Sequence, residues 1–198
     1  MGKANESRQE LNLIIGLDNI LFFDMDGTLV DTNFANFSSY KKAIQSVLQS
    51  DTDISYNPNE RFNREVLKRV FPNLTENEYE KIILQKEEYY TEYLPQTKIN
   101  NLVADILIEY SKSHKTVLVT NCREDRALMT LNYHGLTDKF SNIFYRQRTD
   151  NGNRINKYKN AISNLRLSAH TIIVFENEEN EINDAILAGI SAENILSI

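Results

Sequence analysis

The stretch Ile20-Leu21-Phe22-Phe23-Asp24-Met25-Asp26-Gly27-Thr28 decides the fold of this chain. Its first four residues form a continuous apolar run, which is typical of a strand buried on both faces of a sheet. Two aspartates, two positions apart, follow the run at once, and a glycine comes directly after them. The run therefore predicts a buried strand, and the polar residues at its end predict a turn that can carry functional side chains.

The chain downstream of this strand shows two different patterns. From residue 33 to about residue 94 the apolar residues keep helical spacing, and no strand pattern occurs. After Pro95 short apolar strands alternate with helices, which predicts a parallel sheet with helices on both faces. We therefore predict an α/β fold: a Rossmann-like parallel sheet flanked by helices, with an inserted all-helical cap. The predicted core covers residues 11–32 and 97–198, and the predicted cap covers residues 33–96.

Four further strands are predicted in the second part of the core, each from a short apolar run. They cover residues 116–119, 143–145, 171–175 and 194–196. A helix is predicted over 157–165, because its apolar residues recur at intervals of three and four.

Composition and charge limit the classes of partner. The chain has 198 residues and a formal net charge of -6. An acidic surface disfavours nonspecific binding to nucleic acid or to anionic membranes, so we expect neither partner. An anionic substrate must then be held by a local concentration of positive groups.

The single cysteine, Cys122, excludes an internal disulfide framework, and no signal-like apolar run opens the chain. We therefore expect a cytoplasmic protein, either a monomer or a weak dimer.

The residues just after each buried strand are the candidates for function, because ligands of parallel sheets bind beyond the carboxyl ends of the strands. Asp24 and Asp26 follow the first strand, and a divalent metal between them would relieve their repulsion. Thr120 and Asn121 follow the second, where a hydroxyl and main-chain amides can bind an anion. Each pair also has an ordinary structural explanation, as a solvated turn or as a helix cap.

Two later positions complete the pattern. Lys157 opens a helix at the same edge and can neutralise a phosphate and a carboxylate together. Glu176 and Asn177 follow the strand predicted at 171–175 and can add oxygen ligands for magnesium. A lone surface lysine or a polar loop would explain each feature separately. The joint order of acid, hydroxyl, lysine and acid along one sheet predicts a single site.

These positions resemble the four motifs of the haloacid dehalogenase-like superfamily, in its phosphatase branch with a small helical cap, which includes phosphoglycolate phosphatase and beta-phosphoglucomutase. The segment Asp24-Met25-Asp26-Gly27-Thr28-Leu29-Val30-Asp31 resembles the first motif and is a specific match. Thr120-Asn121 resembles the second motif, Lys157 the third and Glu176-Asn177 the fourth.

The resemblance implies a magnesium-dependent phosphatase that acts on a small phosphorylated metabolite. Asp24 would form an aspartyl-phosphate, and Asp26 would act as acid and then as base. Thr120, Asn121 and Lys157 would bind the phosphoryl group. The implied magnesium ligands are Asp24, Asp26, Glu176 and Asn177.

One departure from the family keeps other hypotheses open. Asn177 stands where the family often has an aspartate, and this removes one negative charge from the metal site. The alternatives are a phosphoglucomutase-like phosphotransferase or a pyrophosphatase on the same scaffold, and a catalytically weakened relative that only binds a ligand. The presence of Asp26 favours phosphoryl transfer over carbon–halogen cleavage, because members of that other branch lack an acid there.

Overall fold

The computed structural model describes residues 15–49 and 53–198 of the chain. Residues 11–14 of the predicted core lie outside this part. The described residues form seven strands, which are β1 (Ile20–Phe23), β2 (Val30–Asp31), β3 (Lys98–Ile99), β4 (Lys115–Val119), β5 (Asn142–Phe144), β6 (Ile172–Glu176) and β7 (Ile195–Ser197). They also form seven α-helices, which are α1 (Asn33–Leu48), α2 (Arg64–Val70), α3 (Glu76–Tyr93), α4 (Asn101–Tyr110), α5 (Glu124–Tyr133), α6 (Lys157–Leu165) and α7 (Glu179–Leu187).

Five of the strands form one parallel sheet in the order β5-β4-β1-β6-β7. Each strand predicted from the sequence is present, with ends within one residue of the prediction, and α6 has the predicted bounds. The predicted fold class is therefore confirmed. Strand β1 lies in the centre, with β4 on one side and β6 on the other. The strand order reverses beside it, which is where open parallel sheets bind their ligands.

The sheet is buried on both faces, as the apolar run of β1 predicts. Leu21 and Phe23 point to one face and pack with residues of α4 and α5, including Leu107 and Leu131. Phe22 points to the opposite face, where its cluster includes residues of α6 and α7. The alternation follows from the strand period of two, so the end of β1 is packed from both faces of the sheet.

The helical insert, residues 33–96, has an apolar cluster of its own. Helices α1 and α3 pack along each other, and a buried group of side chains joins them to α2, among them Phe37, Tyr40, Ile44, Leu67 and Ile82. Phe37 and Tyr40 are thus core residues of the insert. Within the described ranges, none of the helices is both long enough and apolar enough to cross a membrane.

A two-stranded antiparallel ribbon connects the sheet to the insert. Strands β2 and β3 pair Val30 with Ile99 and Asp31 with Lys98, where the chain leaves and re-enters the core. The sequence does not predict this ribbon, because two residues are too few to show a strand period.

The turn between β1 and β2 requires a glycine at position 27. Gly27 has a φ of 92°, a conformation that residues with a side chain rarely adopt. A Cβ atom there would also lie 2.7 Å from Nδ2 of Asn177. The glycine therefore lets the first loop approach the loop after β6.

Candidate functional site

Asp24 lies at the carboxyl end of the central strand and is buried. Its main-chain N–H donates to the carbonyl of Phe175 on β6 over 3.0 Å, which extends the sheet pairing by one residue. Its Oδ1 accepts a hydrogen bond from Nζ of Lys157 over 2.7 Å. Burial raises the pKa of Asp24, although the ammonium of Lys157 opposes the rise and the carboxylate of Glu176 adds to it. Two residues that are 133 positions apart in sequence therefore meet at the sheet edge.

Lys157 is surrounded by carboxylates. Besides Asp24, its Nζ lies 2.8 Å from Oε2 of Glu176 and 3.3 Å from Oε2 of Glu181. Burial disfavours the charged form, but the negative groups around it outweigh burial and raise the pKa of Lys157 well above its usual value. The lysine therefore stays cationic and fixed beside Asp24.

Glu176 supports Lys157 and does not face the cavity beside Asp24. Its Oε2 accepts from Lys157 and from the hydroxyl of Tyr158, the latter over 2.7 Å. Its Oε1 accepts from the main-chain N–H groups of Asn177 and Glu178, over 2.9 and 3.1 Å. Both oxygens are thus occupied in a fully buried side chain.

Asn177 is also engaged within the protein. Its Oδ1 accepts from the hydroxyl of Thr28 over 2.9 Å, and its Nδ2 lies against Gly27. Neither Glu176 nor Asn177 lines the cavity beside Asp24, whereas Glu178 does. The structure therefore brings the predicted residues of the first three motifs together and leaves the two predicted residues of the fourth in supporting contacts.

Asp26 is held between two arginines that the sequence does not predict. Its Oδ1 lies 3.1 Å from Nη2 of Arg61, and its Oδ2 lies 3.3 Å from Nη2 of Arg126. The hydroxyl of Thr32 also donates to Oδ1. Burial alone would raise the pKa of Asp26, but the two guanidinium groups and this hydroxyl bring it well below its usual range. In this arrangement Asp26 is a carboxylate.

The positions of Arg61 and Arg126 carry no local sequence signal. Arg61 belongs to the loop before α2, and Arg126 lies in the first turns of α5. Only tertiary structure brings them to the end of β1. The one available hint is the acidity of the chain, which requires positive groups to gather wherever an anion binds.

A cavity of about 250 Å³ opens between the sheet edge and the helical insert; below it is called the Asp24 cavity. It is lined by Asp24, Asp26, Arg61, Asn63, Thr120, Asn121, Arg126, Lys157, Glu178 and Glu181. Oγ1 of Thr120 accepts the N–H of Cys122 over 3.1 Å, and no acceptor for its own proton is found among the described residues. That hydroxyl can therefore donate to an anion in the cavity.

Several oxygen atoms that line this cavity lack a protein donor within residues 15–49 and 53–198. The buried Oδ1 of Asn121 has no hydrogen-bond partner, and the same holds for Oδ2 of Asp24 and the carboxylate of Glu178. Glu181 is different, since Asn121 and Arg154 donate to it. No group of three or more His, Cys, Asp or Glu side chains in the described ranges is arranged to hold a metal. One or two carboxylates with other oxygens are nevertheless the donor set that Mg²⁺ uses beside a phosphate.

Comparison with known proteins agrees with this architecture. The family model of the haloacid dehalogenase-like hydrolases matches residues 21–194. A haloacid dehalogenase hydrolase of family IA, variant 3, from Entamoeba histolytica aligns with a TM-score of 0.71 and 18% identity, covering 91% of this chain and 83% of its own. A search of curated proteins gives no match.

Two further solved structures have the same fold. A predicted phosphoglycolate phosphatase from Haemophilus somnus aligns with a TM-score of 0.69 and 18% identity, covering 92% of this chain and 85% of its own. A protein described as a beta-phosphoglucomutase from Thermotoga maritima aligns with a TM-score of 0.63 and 23% identity, covering 90% and 84%. The parallel sheet, the motif positions and the family match agree, and the chain belongs to the haloacid dehalogenase-like hydrolase family.

Proposed function

We propose that the protein is a magnesium-dependent phosphatase that hydrolyses a small phosphorylated metabolite through an aspartyl-phosphate on Asp24. The observation that carries this proposal is the contact of 2.7 Å between Asp24 and Lys157 at the end of the central strand. A carboxylate beside a fixed ammonium group, in a cavity with a donor hydroxyl, can attack phosphorus while the charge on the phosphoryl group is neutralised.

The first step transfers the phosphoryl group to the protein. Lys157 and the hydroxyl of Thr120 bind the phosphoryl oxygens, and an oxygen of Asp24 forms a bond to phosphorus. The bond between phosphorus and the ester oxygen breaks. Asp26, which takes up a proton once the substrate anion draws Arg61 and Arg126 away from it, gives that proton to the oxygen as it leaves. The alcohol departs, and Asp24 carries the phosphoryl group.

The second step returns the protein to its initial state. Asp26, now a carboxylate, takes a proton from a water molecule, whose oxygen bonds to phosphorus. The bond between phosphorus and Asp24 breaks, and inorganic phosphate leaves. One residue serves as acid and then as base because each step restores the protonation state that the other needs.

Magnesium fits the donors of the Asp24 cavity. The residues that would hold it are Asp24, the main-chain carbonyl of Asp26 and Glu178. We propose Glu178 as a ligand in place of Glu176 and Asn177, because it lines the cavity and they do not. The ion would supply positive charge next to the transferring phosphoryl group, which is most of the catalytic requirement in phosphoryl transfer.

The helical insert is proposed to act as the cap of the site. It contributes Arg61 and Asn63 to the walls of the Asp24 cavity. It also contacts the core through Tyr90, whose hydroxyl lies 3.3 Å from that of Thr130 on α5. A cap in this position excludes water and limits substrates to small molecules.

The direct test is a panel of phosphorylated metabolites and p-nitrophenyl phosphate, assayed with purified protein and Mg²⁺. We expect phosphate release from p-nitrophenyl phosphate and from at least one metabolite, and its loss with a chelator. Transfer of phosphate to a second metabolite without release would instead indicate a phosphotransferase. Absence of turnover across the panel, with Mg²⁺ or Mn²⁺, would leave only a binding role.

Glu178 and Glu176 form a matched pair for testing the metal site. We expect Glu178→Gln to raise the Mg²⁺ concentration for half-maximal activity about 10–100-fold, because even residues that only support a metal's ligands contribute that much to metal affinity. The melting temperature of this variant should not fall. Glu176→Gln should destabilise the fold by about 3–5 kcal/mol, because it leaves Lys157 less compensated inside the protein. Calorimetric titration with Mg²⁺ measures the loss of metal affinity, and thermal unfolding measures the loss of stability. A Glu178→Gln protein with unchanged Mg²⁺ affinity would exclude this ligand.

A further inference from the structure

A second cavity lies next to the Asp24 cavity and is called here the basic cavity. Its volume is about 280 Å³, and it is bounded by the helical insert, α5 and the segment after β5. Arg61, Asn63 and Arg126 line both cavities. The two spaces are therefore neighbours that share one wall, and a ligand that reaches past these residues enters the second space.

The basic cavity concentrates positive charge in a chain of net charge -6. Six cationic side chains line it, against two carboxylates from Glu65 and Glu87. The six are Arg61, Arg64, Lys86, Arg126, Arg146 and Arg148. Arg146 shows the effect of this crowding, because burial first and then the cations of Arg148 and Arg64 lower its pKa. Such a cluster attracts anions strongly, since its like charges repel one another.

Two of these arginines form no close ion pair within the described chain. The side chains of Arg64 and Arg146 make no hydrogen bond or ion pair with any residue in 15–49 or 53–198. Arg61 and Arg126, in contrast, share Asp26. An ion-pair network that only supports the fold would pair its arginines, so the unpaired ones are the informative members of the cluster.

Lys86 on α3 is the most unusual member, because its side chain is 2% exposed. Its Nζ lies 3.3 Å from Oε1 of Glu87, and two rings face it, with centroids at 5.2 Å for Tyr40 and 5.8 Å for Tyr90. Burial, with help from the charge of Arg126, lowers the pKa of Lys86 to about 8. A buried ammonium group with so little compensation costs stability, and an anion in the cavity would repay that cost.

From these contacts we infer that the basic cavity binds a second anionic group of the substrate, so that the preferred substrate is a small phosphate monoester that also carries a phosphate or a carboxylate. The phosphoryl group to be removed lies at Asp24, and the second anion lies among Lys86, Arg64 and Arg146. Guanidinium groups suit either anion, because their paired N–H donors match the oxygens of both. The substrate assignment rests on the proposed phosphatase function, whereas the anion site itself does not.

Binding measured without turnover tests the anion site independently of catalysis. Propyl phosphate, 3-phosphooxypropanoate and propane-1,3-diol bisphosphate are titrated calorimetrically into the full chain in EDTA. They share a three-carbon skeleton and differ in the second group. We expect the two compounds with a second anion to bind about 10–100-fold more tightly than propyl phosphate, the range that one or two hydrogen bonds to charged groups provide. Whichever of these two compounds binds more tightly shows whether the preferred second group is a phosphate or a carboxylate.

Charge-removing variants locate the effect. Arg146→Gln should reduce the preference for the second anion about tenfold or more while changing propyl phosphate affinity less than about threefold. Lys86→Met provides a second variant with a similar side-chain length and is expected to do the same. Arg69→Gln is the matched control, because this arginine is on the same insert but pairs with Glu60 away from the basic cavity. Its preference should equal that of the unmodified protein.

The outcomes separate this inference from the proposed function. Equal binding of all three compounds, or a preference that Arg146→Gln and Lys86→Met leave intact, would overturn the second-anion site even in an active phosphatase. A preference that these variants abolish, in a protein that hydrolyses none of the compounds with Mg²⁺, would retain the anion site and reject the phosphatase.

Discussion

Replacement of Asp24 by asparagine is expected to lower kcat for every phosphate ester by at least about 10⁴-fold, the scale on which the loss of a covalent nucleophile acts. The amide has nearly the same shape and still accepts from Lys157, so the cavity is kept and only nucleophilic attack is lost. Steady-state rates with p-nitrophenyl phosphate measure the effect. Mass spectrometry of acid-quenched protein should show one added phosphoryl group on the unmodified chain and none on the variant.

Asp31→Asn is the matched control for this prediction. Asp31 belongs to the same motif, is exposed, and its Oδ1 accepts from the N–H of Asn33 at the start of α1, which an asparagine can also do. We expect its activity to stay within about twofold of the unmodified protein, because exposed substitutions away from the site have small effects. If Asp24→Asn kept a rate comparable to that of Asp31→Asn, covalent catalysis by Asp24 would be excluded.

The parts of this molecule that the sequence predicts well are those governed by local rules. The run at 20–23 had to be a buried strand, and residues after parallel strands had to meet at one edge. This is why Asp24, Thr120 and Lys157 are found around one cavity, although they are far apart in the chain. The catalytic roles assigned to them remain predictions.

The fourth motif shows where local reasoning ends. Glu176 is the last residue of its strand, and its side chain points inward. There it accepts hydrogen bonds from Lys157 and Tyr158, so it is not available to the cavity. The carboxylate of Glu178, two residues later, makes no hydrogen bond or close ion pair in the described chain, and the residue lines the Asp24 cavity. Sequence order alone cannot tell which acid of a run points to the cavity, because that depends on how sharply the chain turns after the strand.

The arginines show a second limit, which concerns charge. Net charge predicts that positive groups must gather somewhere, yet Arg61, Arg126 and Arg146 come from a loop, a helix and the segment after β5. No spacing rule connects such positions, because their convergence depends on how the helical insert sits on the core. The basic cavity is therefore a property of the tertiary structure alone.

Asp26→Asn is expected to reduce hydrolysis of alkyl phosphates about 10²–10⁴-fold, the usual contribution of a general acid or base. The loss should depend on the leaving group. An alkoxide needs a proton to leave, whereas p-nitrophenolate is a stable anion, so the first step should slow much less with p-nitrophenyl phosphate. The second step still needs a base, and the aspartyl-phosphate should therefore accumulate with this substrate. Rapid-quench measurement should show a burst of p-nitrophenol that matches the amount of phosphorylated protein.

The arginine contacts of Asp26 add a requirement to its proposed role. An acid must hold a proton, and Arg61 and Arg126 oppose protonation while they pair with the carboxylate. A substrate anion that recruits these guanidinium groups would remove their effect, which couples binding at the shared wall of the two cavities to chemistry at Asp26. Thermal unfolding of Asp26→Asn is the control, because it shows whether the variant is folded. If it is folded, its loss of activity should depend on the leaving group. An equal loss for alkyl and aryl esters, with no phosphorylated protein, would show that Asp26 positions the arginines and transfers no proton.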